Sequence, residues 1–207
     1  MTAKVVFKCT LFSHYMVVFV EYYGEDYSSD YHAIEESLRL AQEQNLNGMQ
    51  TISDGGFSFV YDADKLLAST KSKDNIQTFT FSCKYPRHGD CFIEISFCTK
   101  STENLYGDAI FWFDTLKDIY SSTYANLEMK PMEKTTFLGK SGYMRMGTGQ
   151  MKIADYNIKL TMKVCNYHGY FTTEIGQQSL NEKGQASKEV EELFKAVEAS
   201  LRYSDSQ

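Results

Sequence analysis

The residue types best suited to chemistry in this chain are its five cysteines and four histidines. Cys83, His88 and Cys91 form a C-x4-H-x2-C pattern. Thiolates and an imidazole are ligands that zinc prefers, and the intervening loop would bring them together, but a structural site needs a fourth ligand and none stands nearby. Buried free cysteines also behave as small apolar side chains. In an oxidising compartment a disulfide would close the same hairpin. The spacing leaves these three readings open, with core thiols the plainest. Cys165 and His168 would pair as nucleophile and base if the imidazole reached the sulfur. No third, orienting group is recognisable, so no catalytic residue is assigned. His14 and His32 stand alone and read as solvated or hydrogen-bonded side chains.

Gly147-Thr148-Gly149 invites a phosphate-loop reading, yet such a loop must open a helix, whose first amides hold the anion. Gln150 to Ile153 read as strand instead, so the glycines are expected in a hairpin turn. Glu189, Glu191 and Glu192 stand where a helix N-terminus favours negative charge, which explains them without a metal. Methionines crowd one stretch: Met129, Met132, Met144, Met146, Met151 and Met162. Met144 and Met146 share one face of a strand, either filling the core or forming an adaptable binding surface. Tyr143 and Arg145 alternate with them and are the residue types that dominate binding hot spots. These four, Tyr143, Met144, Arg145 and Met146, are the candidate partner contacts. Cofactor and metal are not expected.

The elements that must position these residues follow from periodicity. The first 25 residues are rich in β-branched and aromatic types and read as one or two strands. Ser28 to Asp30 supply capping groups for a helix over 31–45, where Ile34, Leu38 and Ala41 share a face, and Gly48 closes it. Alternation then predicts strands at Phe57–Asp62, after the Asp54-Gly55-Gly56 turn, at Thr78–Cys83 and at Cys91–Cys98, with residues 84–90 a loop. Cys83 and Cys91 should both point inward across that hairpin. A second helix is predicted over 108–126, capped by Asp108, with Ala109, Trp112, Phe113, Leu116, Ile119, Tyr120 and Thr123 as its buried stripe. Strands resume from Thr135 to Ile175. Ser187 caps a last helix whose stripe is Val190, Leu193, Phe194, Val197 and Leu201, and residues 203–207 should fray. This order predicts an α+β fold, an antiparallel sheet with helices packed on it. The division expected is a strand-helix extension, residues 1–48, followed by one domain, residues 49–207.

Composition narrows the function. With 21 Lys+Arg against 27 Asp+Glu the net charge is −6, which opposes nucleic-acid and anionic-membrane binding. Val5–Val20 is apolar but interrupted by Lys8, Ser13 and His14, and it is shorter than the ~20 residues that span a bilayer. An odd cysteine count without a CxxC pair suggests reduced thiols. A cytoplasmic location is expected, the alternative being export or anchoring through residues 1–23.

Residues about 50–203 resemble the PsbP-like superfamily, shared with Mog-type and DcrB-type proteins. The resemblance rests on Gly56-Phe57-Ser58-Phe59-Val60-Tyr61, on Tyr85-Pro86 leading to Ile93-Glu94-Ile95-Ser96-Phe97, on Gly139-Lys140-Ser141-Gly142-Tyr143, and on the terminal Ala199-Ser200-Leu201. It implies an α/β/α sandwich around an antiparallel sheet and a non-enzymatic role as adaptor, assembly factor or secretion chaperone. The acidic balance adds a toxin-neutralising, immunity-type role among the expectations, and a partner protein of basic character. Binding of a small apolar ligand between sheet and helices is the alternative, and a Cys/His enzyme the remaining one.

Overall fold

The structure is a computed structural model that describes residues 4–12, 15–23, 48–84, 91–98, 101–152 and 156–204. The chain divides into two units, residues 1–47 and 48–207. In the first, β1 (Lys4–Phe12) and β2 (Tyr15–Tyr23) pair antiparallel, from Lys4 opposite Tyr23 to Phe12 opposite Tyr15. The apolar run is thus a strand pair, as its β-branched residues favour. The helix expected over 31–45, with His14 and His32, lies outside the described residues, as does the loop over 85–90 with His88. Among the described residues no helix is long and apolar enough to cross a membrane.

The second unit runs β3 (Met49–Asp54), β4 (Phe57–Asp62), β5 (Leu66–Lys73), β6 (Ile76–Cys83), β7 (Phe92–Cys98), α1 (Leu105–Thr123), β8 (Tyr124–Met129), β9 (Glu133–Phe137), β10 (Lys140–Met151), β11 (Asn157–Tyr167), β12 (Tyr170–Ser179), α2 (Lys188–Ser200) and β13 (Arg202–Tyr203). Eight strands form one antiparallel sheet in the order β5-β6-β7-β12-β11-β10-β8, with β9 also paired to β10. A small sheet, β13-β4-β3, stands apart from it.

Alternation along the strands builds two cores. On one face of the large sheet Phe79, Phe81, Ile93, Ile95 and Phe97 meet Phe57, Phe59 and Tyr61 of β4, and Phe194 and Val197 of α2. Phe57 stacks on Phe97 with ring centroids 3.8 Å apart, and Phe59 lies 5.0 Å from Phe79. Each fully buried phenylalanine contributes about 1.5–3 kcal/mol of hydrophobic stabilisation. On the other face Ile158, Leu160, Met162 and Val164 of β11 pack under Ala109 and Phe113 of α1 and Tyr124 of β8.

The expected helix-flanked sandwich is therefore corrected. The unit is mostly β: α1 covers one face, but the other is covered chiefly by the small sheet, with α2 beside it. The period-2 aromatics of β4 pack sheet on sheet, a mode that helix counting overlooks. Three local expectations also change. Gly147-Thr148-Gly149 lies inside β10, not in a turn; a Cβ at Gly147 would meet Met129 Sδ and the Glu128 carbonyl of β8, so the glycine allows close strand approach. Helix α1 starts three residues earlier than predicted, capped by Asn104, whose Oδ1 accepts from Gly107 N at 3.1 Å, while Asp108 accepts from the Thr102 hydroxyl. Residues 202–203 form β13 against Ser58 and Phe57, so Tyr203 is paired where fraying was expected over 203–207, and residues 205–207 lie outside the described residues.

Candidate functional site

Strand β10 decides where the candidate contacts go, because its side chains alternate between the two faces of the sheet. Arg145 is paired opposite Met162 and Tyr143 opposite Val164, which puts both on the α1 side. Met144 opposite Lys163 and Met146 opposite Thr161 are on the other side, half-buried. The four contacts expected together are thus divided two and two.

Tyr143 and Arg145 share a groove of about 550 Å³ with Tyr106, Ile110 and Asp114 of α1 and with residues 131–134 that connect to and begin β9. The groove is built from both elements. The Arg145 guanidinium donates to Asp114 Oδ1 at 2.6 Å and, through Nε, to the Lys130 carbonyl at 3.0 Å. Helix and sheet edge are thereby pinned across the groove floor by one side chain. The Tyr106 and Tyr143 rings meet edge to face at 5.5 Å and form one wall. Pro131 and Met132 stand on the β8–β9 side.

The same helix exposes large apolar side chains, of which Tyr106 and Ile110 line the groove. Phe111 is 75% exposed, Ile119 57%, Tyr106 55% and Ile110 39%. The predicted buried stripe holds for Ala109 and Phe113, while Trp112, Leu116 and Tyr120 are partly buried and Ile119 and Thr123 face outward. Residues 109–113, Ala-Ile-Phe-Trp-Phe, are apolar without a break, which is wider than one helix face can bury. That width is the signal by which Ile110 and Phe111 could have been found. Acidic side chains border them: Asp108, Asp114 and Asp118 are exposed along the same helix.

The sulfur candidates are placed differently. Cys83, Cys91, Cys98 and Cys165 are free thiols. Cys83 donates its amide to the Cys91 carbonyl at 2.9 Å, and the hydrogen bond between their thiols, then burial, pushes the Cys83 pKa up, so it stays protonated. Both belong to or border the aromatic core, as the inward expectation required. Cys91 Sγ also lies 3.5 Å from Ser179 Oγ. Among the described residues no group of three or more His, Cys, Asp or Glu is placed to hold a metal, and His88 lies outside them. Cys165 is fully buried, and that burial pushes its pKa up to about 12. A thiol so held offers no thiolate for attack. His168 occupies the β11–β12 turn at φ 47°, its ring 4.6 Å from Tyr167 and 5.1 Å from Tyr203, where it packs as an aromatic.

No family model and no curated protein matches the chain. Among solved structures it is similar to the solution structure of cyanobacterial PsbP (CyanoP) from Synechocystis sp. PCC 6803, at 18% identity and a TM-score of 0.50, over 78% of this chain and 96% of that one. The likeness is one of architecture, and it shows that this chain has a PsbP-like fold.

Proposed function

We propose that this chain is a protein-binding module without catalytic chemistry of its own, and that it holds its partner along the outer face of α1 and the groove beside Tyr143 and Arg145. One observation carries the reading: Phe111 is three-quarters exposed on the same helix that contributes Tyr106 and Ile110, themselves exposed, to the lining of a preformed groove. Exposed apolar clusters with a polar surround mark interaction sites on soluble proteins. The Arg145–Asp114 clasp adds rigidity, so little ordering entropy is lost on binding. The bordering carboxylates Asp108, Asp114 and Asp118 favour a partner with basic residues around an apolar anchor. An assembly factor, a secretion chaperone or a toxin-neutralising partner would use such a face. The PsbP-like fold agrees with this non-enzymatic role.

The test is affinity isolation from the native host with the full chain and with Phe111→Asp, each checked for fold by circular dichroism. Capture of one stoichiometric partner by the parent chain, lost in the variant, supports the reading. Capture that survives Phe111→Asp and Ile110→Asp moves the interface elsewhere and overturns it.

A further inference from the structure

The α2 side of the large sheet carries a buried charged cluster that partner binding at α1 does not use. Lys163 of β11 places Nζ 2.8 Å from Glu174 Oε1 of β12 and 2.8 Å from Glu198 Oε1 of α2. Lys163 and Glu174 are directly opposed across the β11–β12 ladder, so their contact follows from register. Glu174 is 2% exposed. Its second oxygen, Oε2, is buried with no hydrogen-bond partner among the described residues. The surroundings supply little else: Phe137 of β9 lies with its ring 5.4 Å from Lys163 Nζ, Ile95 of β7 is opposite Glu174, and Met144 of β10 is opposite Lys163. Charged and titratable groups that face the cluster are Lys163 and Cys165 from β11 and Glu198 from α2; Lys195 of α2 lines the adjoining groove with Glu198 and Tyr167.

Two carboxylates and one ammonium leave a net charge of −1 around a fully buried Glu174, with Lys163 and Glu198 mostly but not wholly shielded from water, which is costly unless a proton neutralises it. The Glu174 and Glu198 carboxyls are within hydrogen-bonding reach of each other. Two carboxylates at that distance cannot both be acceptors to advantage, but a carboxylic acid donates to a carboxylate. One proton would therefore remove the excess charge, and carried on the orphaned oxygen it would turn an unsatisfied acceptor into a donor.

We propose that Glu174 and Glu198 share a single proton over Lys163, and that this proton fastens the C-terminal end of α2 to the sheet, making the docking of α2 responsive to pH. Burial pushes the Glu174 pKa up, Lys163 opposes the rise and Glu198 adds to it, leaving it at about 7. For Lys163 burial works against the ammonium, yet Glu174 and Glu198 outweigh it, so this group remains charged throughout. When α2 lifts, Glu174 meets water and releases its proton. The opening equilibrium must then rise with pH between the ordinary carboxylate range and about pH 7, and level off above it.

The experiment is done on the full chain. Carbon-13 NMR of the glutamate side-chain carboxyls follows Glu174 directly, and hydrogen exchange of α2 amides at pH 5.0 and 7.5 is corrected for intrinsic rates. The expected results are a Glu174 midpoint near neutrality and α2 protection lower at pH 7.5 by on the order of tenfold or more, since each pKa unit of difference is worth tenfold. Glu174→Gln, an amide that donates as the acid does, should hold α2 protected at both pH values. Glu198→Gln leaves Glu174 alone with Lys163 and should move its midpoint well below neutrality, a readout that survives if Glu174→Gln fails to fold. A Glu174 titration complete below pH 5, or α2 protection with the same pH response in the parent and in Glu174→Gln, would overturn the proposal.

Discussion

The two helices lie on opposite faces of one sheet and finish their surfaces in opposite ways. Helix α2 is amphipathic to completion. Phe194 and Val197 enter the aromatic core, and Lys159–Glu191, at 2.7 Å, and Lys163–Glu198, at 2.8 Å, tie its flank to β11. Ser200 Oγ accepts from Val60 N at 2.9 Å, tying its end to the small sheet. What faces outward on α2 is charged. Helix α1 buries Ala109 and Phe113 against aliphatic residues of β11 and then presents Phe111, Ile110, Ile119 and Tyr106 to solvent. A surface helix whose apolar residues exceed the face it can bury is under-partnered by its own fold. The difference teaches where structure ends and function begins: the α2 flank is explained by folding alone, and the α1 flank is not.

Breaking the two sides tests this division most strongly through their phenylalanines. Phe59, fully buried between Phe79 and Phe81 on the α2 side, should cost about 3–5 kcal/mol when changed to alanine, through lost burial and the cavity left behind. Guanidinium unfolding monitored by circular dichroism reads this as a fall in midpoint at unchanged slope. Phe111→Ala should move the same midpoint by less than about 0.5 kcal/mol. Its loss should instead appear in partner affinity, by about 2 kcal/mol or more if it is a hot spot, measured by calorimetry. A large stability loss at Phe111 would mean that α1 needs the residue for its own packing, and the contrast between the flanks would fall.

How much of this was legible in the sequence depended on whether the signal was local. The α2 cap at Ser187 and its stripe were legible, because capping and a 3.6-residue period need only neighbours in the chain. Even the charged ladder has a sequence trace. Lys159 and Lys163 are four apart on a strand, a span of about 13 Å, and Glu191 and Glu198 are seven apart on a helix, about 10.5 Å. Strands β3, β5 and β8 were not legible, and of β9 only the end from Thr135 was. Leu66–Lys73 reads Leu-Leu-Ala-Ser-Thr-Lys-Ser-Lys, and only pairing with β6 makes it a strand. Gly147 and Gly149 read as turn punctuation because their reason for being glycine lies in β8, some twenty residues upstream. For the site, alternation on β10 separates Tyr143 and Arg145 from Met144 and Met146, but it does not say which pair meets a helix. The groove depends on Pro131 and Met132 coming to lie beside α1, a tertiary event.

The helix caps sharpen the comparison at smaller scale. Ser187→Ala and Asn104→Ala each remove a side-chain acceptor from a helix N-terminus, where Val190 N at 3.4 Å and Gly107 N at 3.1 Å lose their partners. Each should cost about 1 kcal/mol. Hydrogen exchange should resolve them by location: loss at Ser187 spreads over α2, and loss at Asn104 spreads over α1 and reaches Tyr106 in the groove wall. Partner affinity should therefore weaken in the Asn104 variant and stay unchanged in the Ser187 variant. Equal effects on affinity would show that the two flanks are coupled.

The smallest effect expected is at Glu191, and it is informative by its sign. The hydrogen bond from Lys159 lowers the Glu191 pKa, with burial opposing and further lysines assisting. Its contribution is therefore fully present above the ordinary carboxylate range and lost as pH falls through the lowered value. As a half-exposed ion pair it should contribute about 0.5 kcal/mol at pH 7 in low salt and less in high salt. Glu174, whose pKa is raised, has the reverse dependence: stability is lost as pH rises from the ordinary carboxylate range to about 7. Unfolding midpoints of Glu191→Gln and Glu174→Gln across pH 3 to 8 should therefore diverge from the parent in opposite windows, the first closing its gap in acid and the second opening its gain toward neutrality. Parallel curves for the two variants would mean that exposed and buried glutamates on this flank are held alike, and that the sheet-facing side of α2 is solvated far more than its packing indicates.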